Sequence, residues 1–335
     1  MELPSGTEQL PDVMGQPPDG RKLPGIKAQG LFVIADPHVA ATPPGQRLEG
    51  YREQIMAKLA ACLEYAKEHG LHVVIAGDLF HWPRENPNGL VVELIELFGP
   101  YHPSVLVGNH DKYLTRFSRD VSLAVLDAAG AIRLLHSFGP QFRLETPQGS
   151  VLVGASPDGS PLPDRVDRGD ASATVWFSHH GIAFPDCEGG TIHPKEIPGL
   201  DWLINGHLHR PQPMVVKGGT RWCNPGNITR LTFSQNTRSR EPAAAIWRPG
   251  ARELERWPVP CLPFEAVFPD QPFPPQLGSK ESESLFLAGL ERLAWRRTRE
   301  GLGLKNFLAD NLTPGEPETG LIWELYEEVA GGTDT

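Results

Sequence analysis

Short, unbroken apolar runs alternate with amphipathic stretches over the first two-thirds of the chain. Leu31–Ala35, His72–Ala76, Ser104–Val107, Val151–Val153, Thr174–Phe177 and Trp202–Ile204 are rich in β-branched or aromatic side chains. Runs this short, without polar alternation, predict strands buried on both faces. Between the first two, Ile55, Met56, Leu59, Cys62, Leu63 and Ala66 recur at helical spacing, and Gly70 supplies a stop. Asn88–Phe98 and Ser118–Ala129 predict further helices, the second closed by Gly130. Strands alternating with helices imply an α/β class with a mainly parallel sheet. Beyond residue 213 the pattern changes: Val215, Arg221–Cys223, Ala243–Trp247 and Phe264–Phe268 predict strands with little helix.

The flanks read differently. Residues 1–28 are rich in Pro and Gly without apolar periodicity, which predicts a flexible N-terminal segment. Pro269, Pro272, Pro274 and Pro275 mark a linker. Past it, Ser282–Arg299 and Leu321–Val329 predict two helices. The expected organisation is a main domain over 29–268 and a short helical appendage over 269–335.

Composition narrows the class. Gly 35 and Pro 34 together make about a fifth of the 335 residues, which argues for many turns and against a helical bundle. The four cysteines contain no CxxC pair, so reduced thiols are expected rather than a zinc ribbon or a redox dithiol. No apolar run approaches the ~20 residues of a membrane span, and no secretion signal opens the chain, so a cytoplasmic protein is expected. The net charge of −10 argues at first against a nucleic-acid partner. Yet residues 310–335 carry seven acids and no Lys or Arg, whereas 202–240 carries six bases and no acid. Charge therefore leaves the partner open.

The candidate chemistry lies where the strands end. Five apolar runs finish within a few residues in metal-type ligands: Asp36-Pro37-His38, Gly77-Asp78-Leu79-Phe80-His81, Gly108-Asn109-His110-Asp111, His179-His180 and Gly206-His207-Leu208-His209. Seven of the twelve histidines fall in these endings. Open sheets gather ligands at the carboxyl ends of their strands, so the five endings are expected to share one crevice. Imidazole, carboxylate and one carboxamide, without thiolate, suit manganese, iron or zinc. A pair of such ions about 3.5–4 Å apart, held by a bridging carboxylate, is a device for in-line attack on a phosphorus ester.

In this order, the series D-x-H, G-D, G-N-H-D, H, G-H-x-H resembles the calcineurin-like metallophosphoesterase superfamily over about Leu31 to Trp247. The resemblance implies a four-layer sandwich, two mixed β-sheets flanked by helices. It implies two divalent ions, most often Mn²⁺, with Fe, Zn and Mg as alternatives. Asp36, His38, Asp78 and His209 would hold one ion. Asp78, Asn109, His179 and His207 would hold the other, with Asp78 bridging. His110 would be catalytic beside the leaving group, and Asp111 would orient its ring. More narrowly, Gly77–His81 and Asn224–Arg230 resemble segments of SbcD-type DNA-repair nucleases. That branch implies exonuclease or endonuclease cutting of DNA by the 29–268 domain, His81 as an aid to exonuclease action, an SMC-like ATPase partner of the SbcC type, and a homodimer, with 269–335 as a reduced cap or a partner-binding element. Among the bases of 202–240, Arg210, Arg221 and Arg230 are candidates for DNA-backbone contact, since Lys and Arg bind phosphates without reading sequence. A small-molecule phosphodiesterase or phosphatase of the same superfamily remains an alternative. A catalytically silent DNA-end or ATPase-binding module is a third, disfavoured because no ligand is degenerate.

Overall fold

The computed structural model describes residues 23–113, 115–187 and 190–270. With strands numbered in chain order, a six-stranded sheet runs β13 (Glu255–Pro258), β12 (Ala243–Trp247), β2 (Gly30–Ile34), β3 (Leu71–Ile75), β4 (Ser104–Leu106), β5 (Arg133–Leu135). Strands β2 to β5 are parallel; β12 and β13 join antiparallel at one edge. A seven-stranded sheet runs β1 (Gly25–Lys27), β6 (Gly139–Thr146), β7 (Gly149–Ser156), β8 (Ala173–Ser178), β9 (Trp202–Asn205), β11 (Thr220–Asn224), β10 (Gln212–Lys217). It too is mixed: β7, β8, β9 and β11 are parallel neighbours, and β6 and β10 pair antiparallel.

The sheets stack on an apolar layer. Leu31, Val33, Val74 and Leu106 of one meet Phe142, Val153, Val175, Phe177 and Ile204 of the other, all fully buried. The alternate residues of β2 and β3, Phe32, Ile34, Val73 and Ile75, face the opposite way. They pack under α1 (Tyr51–Glu68), α2 (Asn88–Phe98) and α3 (Ser122–Ala128). Both faces of these strands are therefore dry, which is why their sequence shows no alternation. Each fully buried aliphatic side chain contributes about 1.5–3 kcal/mol of transfer free energy.

The expected α/β sandwich is present, with one difference. Among the described residues the helices α1, α2 and α3 all pack on the six-stranded sheet. The outer face of the other, with Leu152, Trp176, Leu203 and Trp222, is covered by Val166, Ile182, Phe184, Ile197 and Leu200 from irregular segments. Those segments carry Pro157, Pro161, Pro163, Pro185, Pro194 and Pro198, whose rings block helix interiors.

Three local expectations change as well. Gly25–Lys27, assigned to the flexible N-terminal segment, pairs parallel with β6 and extends the sheet. Phe264–Phe268, expected as a strand, is a 3₁₀ turn at Phe264–Ala266, entered from Pro263. Its apolar residues pack against Phe233 in a small satellite cluster rather than in a ladder. Helix α3 starts at Ser122, not Ser118. The two helices expected in 282–299 and 321–329 lie outside the described residues.

Candidate metal centre

The five motif endings meet at the carboxyl ends of β2, β3, β4, β8 and β9. The chain turns sharply to bring them there. Asp36, His38, Asp78 and His207 adopt left-handed backbone with φ of 47°, 50°, 49° and 71°. Each such non-glycine residue costs on the order of 1–3 kcal/mol and persists only where surrounding structure holds it. Here the first two motifs hold each other: the amides of His38 and Val39 donate to the carbonyls of Asp78 and Leu79 at 3.0 and 2.7 Å. Gly108 is required at its position, because a Cβ would fall on the Asp78 carboxylate.

The two acids are held alike. Asp36 Oδ1 accepts the His207 amide at 2.9 Å, and Asp78 Oδ1 accepts the His110 amide at 2.8 Å. In each case Oδ2 is left for the crevice. Asp78 Oδ2 lies 3.7 Å from His38 Nε2 and 3.3 Å from His179 Nε2, between the two groups of donors. Asp36 Oδ2 is buried and has no hydrogen-bond partner. On one side His38 Nε2 and His209 Nε2 face each other at 2.9 Å. On the other, Asn109 Oδ1 stands 3.1 Å from His179 Nε2 and 3.0 Å from His207 Nδ1. An orphaned buried carboxylate oxygen beside converging imidazole nitrogens is a donor set that a divalent cation fits. Asp36, His38 and His209, and separately Asp36, Asp78 and His179, bring their donor atoms within 4.8 Å of one another.

Burial dominates the protonation states. It holds His38 well below the ordinary histidine range and lowers His207 and His209 to about 4 and about 3. These rings are neutral, as metal ligands must be. Burial opposes charge on His179 too, but the Asp78 and Asp36 carboxylates overcome it and raise this imidazole to about 10. Its Nδ1 donates to the Ala76 carbonyl at 2.9 Å, which aims Nε2 at the crevice. Burial lifts Asp36 to about 7, whereas the His179 and His110 imidazoles outweigh burial at Asp78 and keep it well below the carboxylate range.

At the rim, His110 and His81 are part-exposed and their rings stack at 5.5 Å and 25°. His110 Nδ1 donates to the His81 carbonyl at 2.9 Å, leaving Nε2 as the atom able to exchange a proton. Asp111 does not orient that ring as expected. Its buried carboxylate accepts the amides of Gly108, Phe80 and Leu79 at 3.0, 3.2 and 3.4 Å. Three backbone donors on adjoining loops satisfy it, so its task is to shape the loops. His180 also turns away, with Nε2 2.7 Å from the Ser160 carbonyl.

The three candidate DNA-binding arginines separate. Arg230 is buried, and its guanidinium binds the carbonyls of Thr237, Leu262 and Arg240. Arg221 pairs across from Trp202 at the start of β9, with its guanidinium 5.2 Å above that ring, whereas the centre lies past the end of β9. Arg210 alone is exposed and follows His209 directly. The Asn224–Arg230 segment serves instead as an internal brace.

Sequence reasoning missed several such braces. Arg240 donates to the carbonyls of His209, Asn227 and Thr229 at 2.9, 2.9 and 2.7 Å. Asn205, fully buried, ties Ser178 and His180 of the β8 end to Asn224. Tyr51 Oη donates to the His38 carbonyl at 2.8 Å. Arg240 and Tyr51 bind backbone carbonyls and Asn205 binds both side chains and backbone, and no spacing rule announces any of them.

Fold and site define a metal-binding α/β sandwich with a mixed imidazole and carboxylate centre. The model of the calcineurin-like phosphoesterase family matches residues 31–211, more than half of the chain, and the chain belongs to that family. A search of the curated proteins finds no match. Among solved structures, a 5'-nucleotidase precursor from Thermus thermophilus is similar at 12% identity and TM-score 0.41, over 80% of this chain and 59% of that one. The sulfate thiohydrolase SoxB of Thermus thermophilus is similar at 14% identity and TM-score 0.41, over 72% of this chain and 58% of its own. A dimetal phosphatase from Danio rerio is similar at 13% identity and TM-score 0.41, over 66% of this chain and 93% of that one. Likeness at this level carries no argument about substrate.

Proposed function

We propose that this chain is a two-metal phosphodiesterase and that DNA is its substrate. The observation that carries the phosphodiesterase reading is the pair of donor groups flanking Asp78 Oδ2, with the His110 ring at the exposed rim beside them. Asp36, His38, Asp78 and His209 would hold one ion, and Asp78, Asn109, His179 and His207 the other. Bound there, two divalent ions, Mn²⁺ by preference, would activate water and offset the charge that builds on the phosphoryl oxygens. The protein's own part is to hold those donors rigid and to move one proton. His110, fixed by its Nδ1 bond to the His81 carbonyl, would exchange that proton at the leaving-group oxygen through Nε2.

DNA rests on the resemblance of Gly77–His81 to SbcD-type nucleases and is supported by where His81 lies, against both His38 and His110. An SbcC-type ATPase partner and a homodimer belong to the same proposal. A second reading, hydrolysis of small phosphoesters, is favoured by the removal of Arg221 and Arg230 from the site. End-labelled single- and double-stranded DNA incubated with Mn²⁺ tests the choice, with bis(p-nitrophenyl) phosphate alongside. DNA cleavage that disappears in His110→Ala is expected. Turnover of the small diester with intact DNA would select the second reading.

A further inference from the structure

His81 stands at the rim in an arrangement that its assignment as an aid to exonuclease action does not explain. Its ring presents Nδ1 to Nδ1 of His38 at 3.4 Å, with the two rings nearly perpendicular, 69° apart and 5.4 Å between centres. The opposite nitrogen of His38, Nε2, is the one that faces His209 Nε2 and Asp78 Oδ2. A ligating imidazole is neutral and carries a single proton. If Nε2 of His38 is to offer its lone pair to a cation, that proton must sit on Nδ1, and the group placed to accept it there is the ring of His81. Ligating histidines are ordinarily fixed in this way by a carboxylate or a carbonyl. Here a second imidazole takes that place.

We infer that His81 is a positioning residue for the metal centre: its Nδ1 accepts the Nδ1–H of His38 and so locks His38 in the tautomer that ligates through Nε2. The inference rests on the two-metal reading and gives a role to a residue that the reading leaves at the edge. Acceptance at Nδ1 places the proton of His81 on its own Nε2. The main chain of the same residue performs a separate task, since the His81 carbonyl holds His110 and the His81 amide donates to the Val39 carbonyl at 2.9 Å. Side chain and backbone of one residue thus serve the metal-facing ring and the proton-handling ring respectively. A substitution at His81 removes the first service and keeps the second, which makes the inference separable from catalysis.

The test is a calorimetric titration of the metal-free full-length protein with Mn²⁺, comparing wild type with His81→Phe and His81→Asn. Phe keeps a planar ring and removes the acceptor, whereas the Asn carboxamide oxygen can still accept from His38. Expected is a loss of about 10–100-fold in affinity at one of the two ions in His81→Phe, as for other outer partners of a metal ligand. The second ion stays unchanged, and His81→Asn recovers most of the loss. Nitrogen-15 histidine spectra of the Zn²⁺-loaded wild type provide an independent reading that no folding defect can confuse. They should show Nδ1 protonated in His38 and Nε2 protonated in His81. Two ions bound at wild-type affinity in His81→Phe, or a protonated Nδ1 in His81, would overturn the inference alone. So would a third equivalent of Mn²⁺ in the wild type that His81→Phe loses, because His38, His81 and His110, whose donor atoms lie within 4.8 Å of one another, would then form a site of their own. Failure of the wild type to bind any Mn²⁺ would overturn the two-metal reading and this inference with it.

Discussion

The two sheets build opposite walls of the crevice, and the walls differ in kind. The six-stranded sheet supplies the two carboxylates that face the crevice, Asp36 and Asp78, together with His38, Asn109 and the rim pair His81 and His110. The seven-stranded sheet supplies imidazoles alone, His179, His207 and His209. The carboxylates thus lie on one wall, and the other offers imidazoles alone. The bonds between them run across the gap: the His207 amide to Asp36, His179 Nδ1 to the Ala76 carbonyl, and both His179 and His207 to Asn109. A cation placed between such walls is attracted by one and completed by the other. It also couples the packing of the sheets to the integrity of the site.

The largest expected effect comes from the charged wall. Asp78→Asn removes the oxygen that faces both groups, so metal analysis should find both ions weakened by more than the ~100-fold typical of an outer partner. Loss of a single ion would show that Asp78 does not bridge. On the imidazole wall, His207→Ala should leave one ion in place and weaken the other, a contrast that titration with Mn²⁺ reads directly.

A smaller effect should follow from the brace behind the imidazole wall. Arg240→Met cuts three bonds to buried carbonyls and should lower unfolding free energy by about 3 kcal/mol in urea. It should weaken the ion next to His209 more than the ion next to His207.

An effect of similar size, confined to alkaline pH, lies behind the charged wall. Lys58, buried on α1 against the Ile228 carbonyl, is lowered by burial to about 8. A folded-state value below the unfolded one means that the unfolded chain binds the proton more tightly between about pH 8 and about pH 10.5. Stability therefore carries the full penalty below about pH 8 and gains up to about 3 kcal/mol as pH rises through that window. Lys58→Met should remove this gain, measured as the difference in unfolding free energy between wild type and variant at the two ends of the window.

The charged wall was largely legible in the sequence, because its strands are dry on both faces and run unbroken into their ligands. Leu31–Ala35 and His72–Ala76 announce themselves in this way, and helix Asn88–Phe98 matches its expected bounds. The other sheet was harder to read. Strand β6 has one face inward, with Phe142 and Leu144 buried and Arg143 and Glu145 turned outward, so it alternates and offers no run. Phe264–Phe268 misled for the opposite reason, an apolar run that packs as a turn. At the site, the residue types that meet in the crevice and their order along the chain were readable from the sequence. The tasks of Asp111, Arg230 and Arg240 were not, since each is defined by backbone carbonyls or amides that only the folded chain brings near.

The central claim is that two ions sit across these walls and share Asp78. Electron paramagnetic resonance of the protein titrated with Mn²⁺ tests it most directly, because ions about 3.5–4 Å apart with a shared carboxylate are magnetically coupled. The account predicts two Mn²⁺ per chain and a coupled signal that Asp78→Asn abolishes. A single ion, or two that give only the spectrum of isolated Mn²⁺, would contradict it.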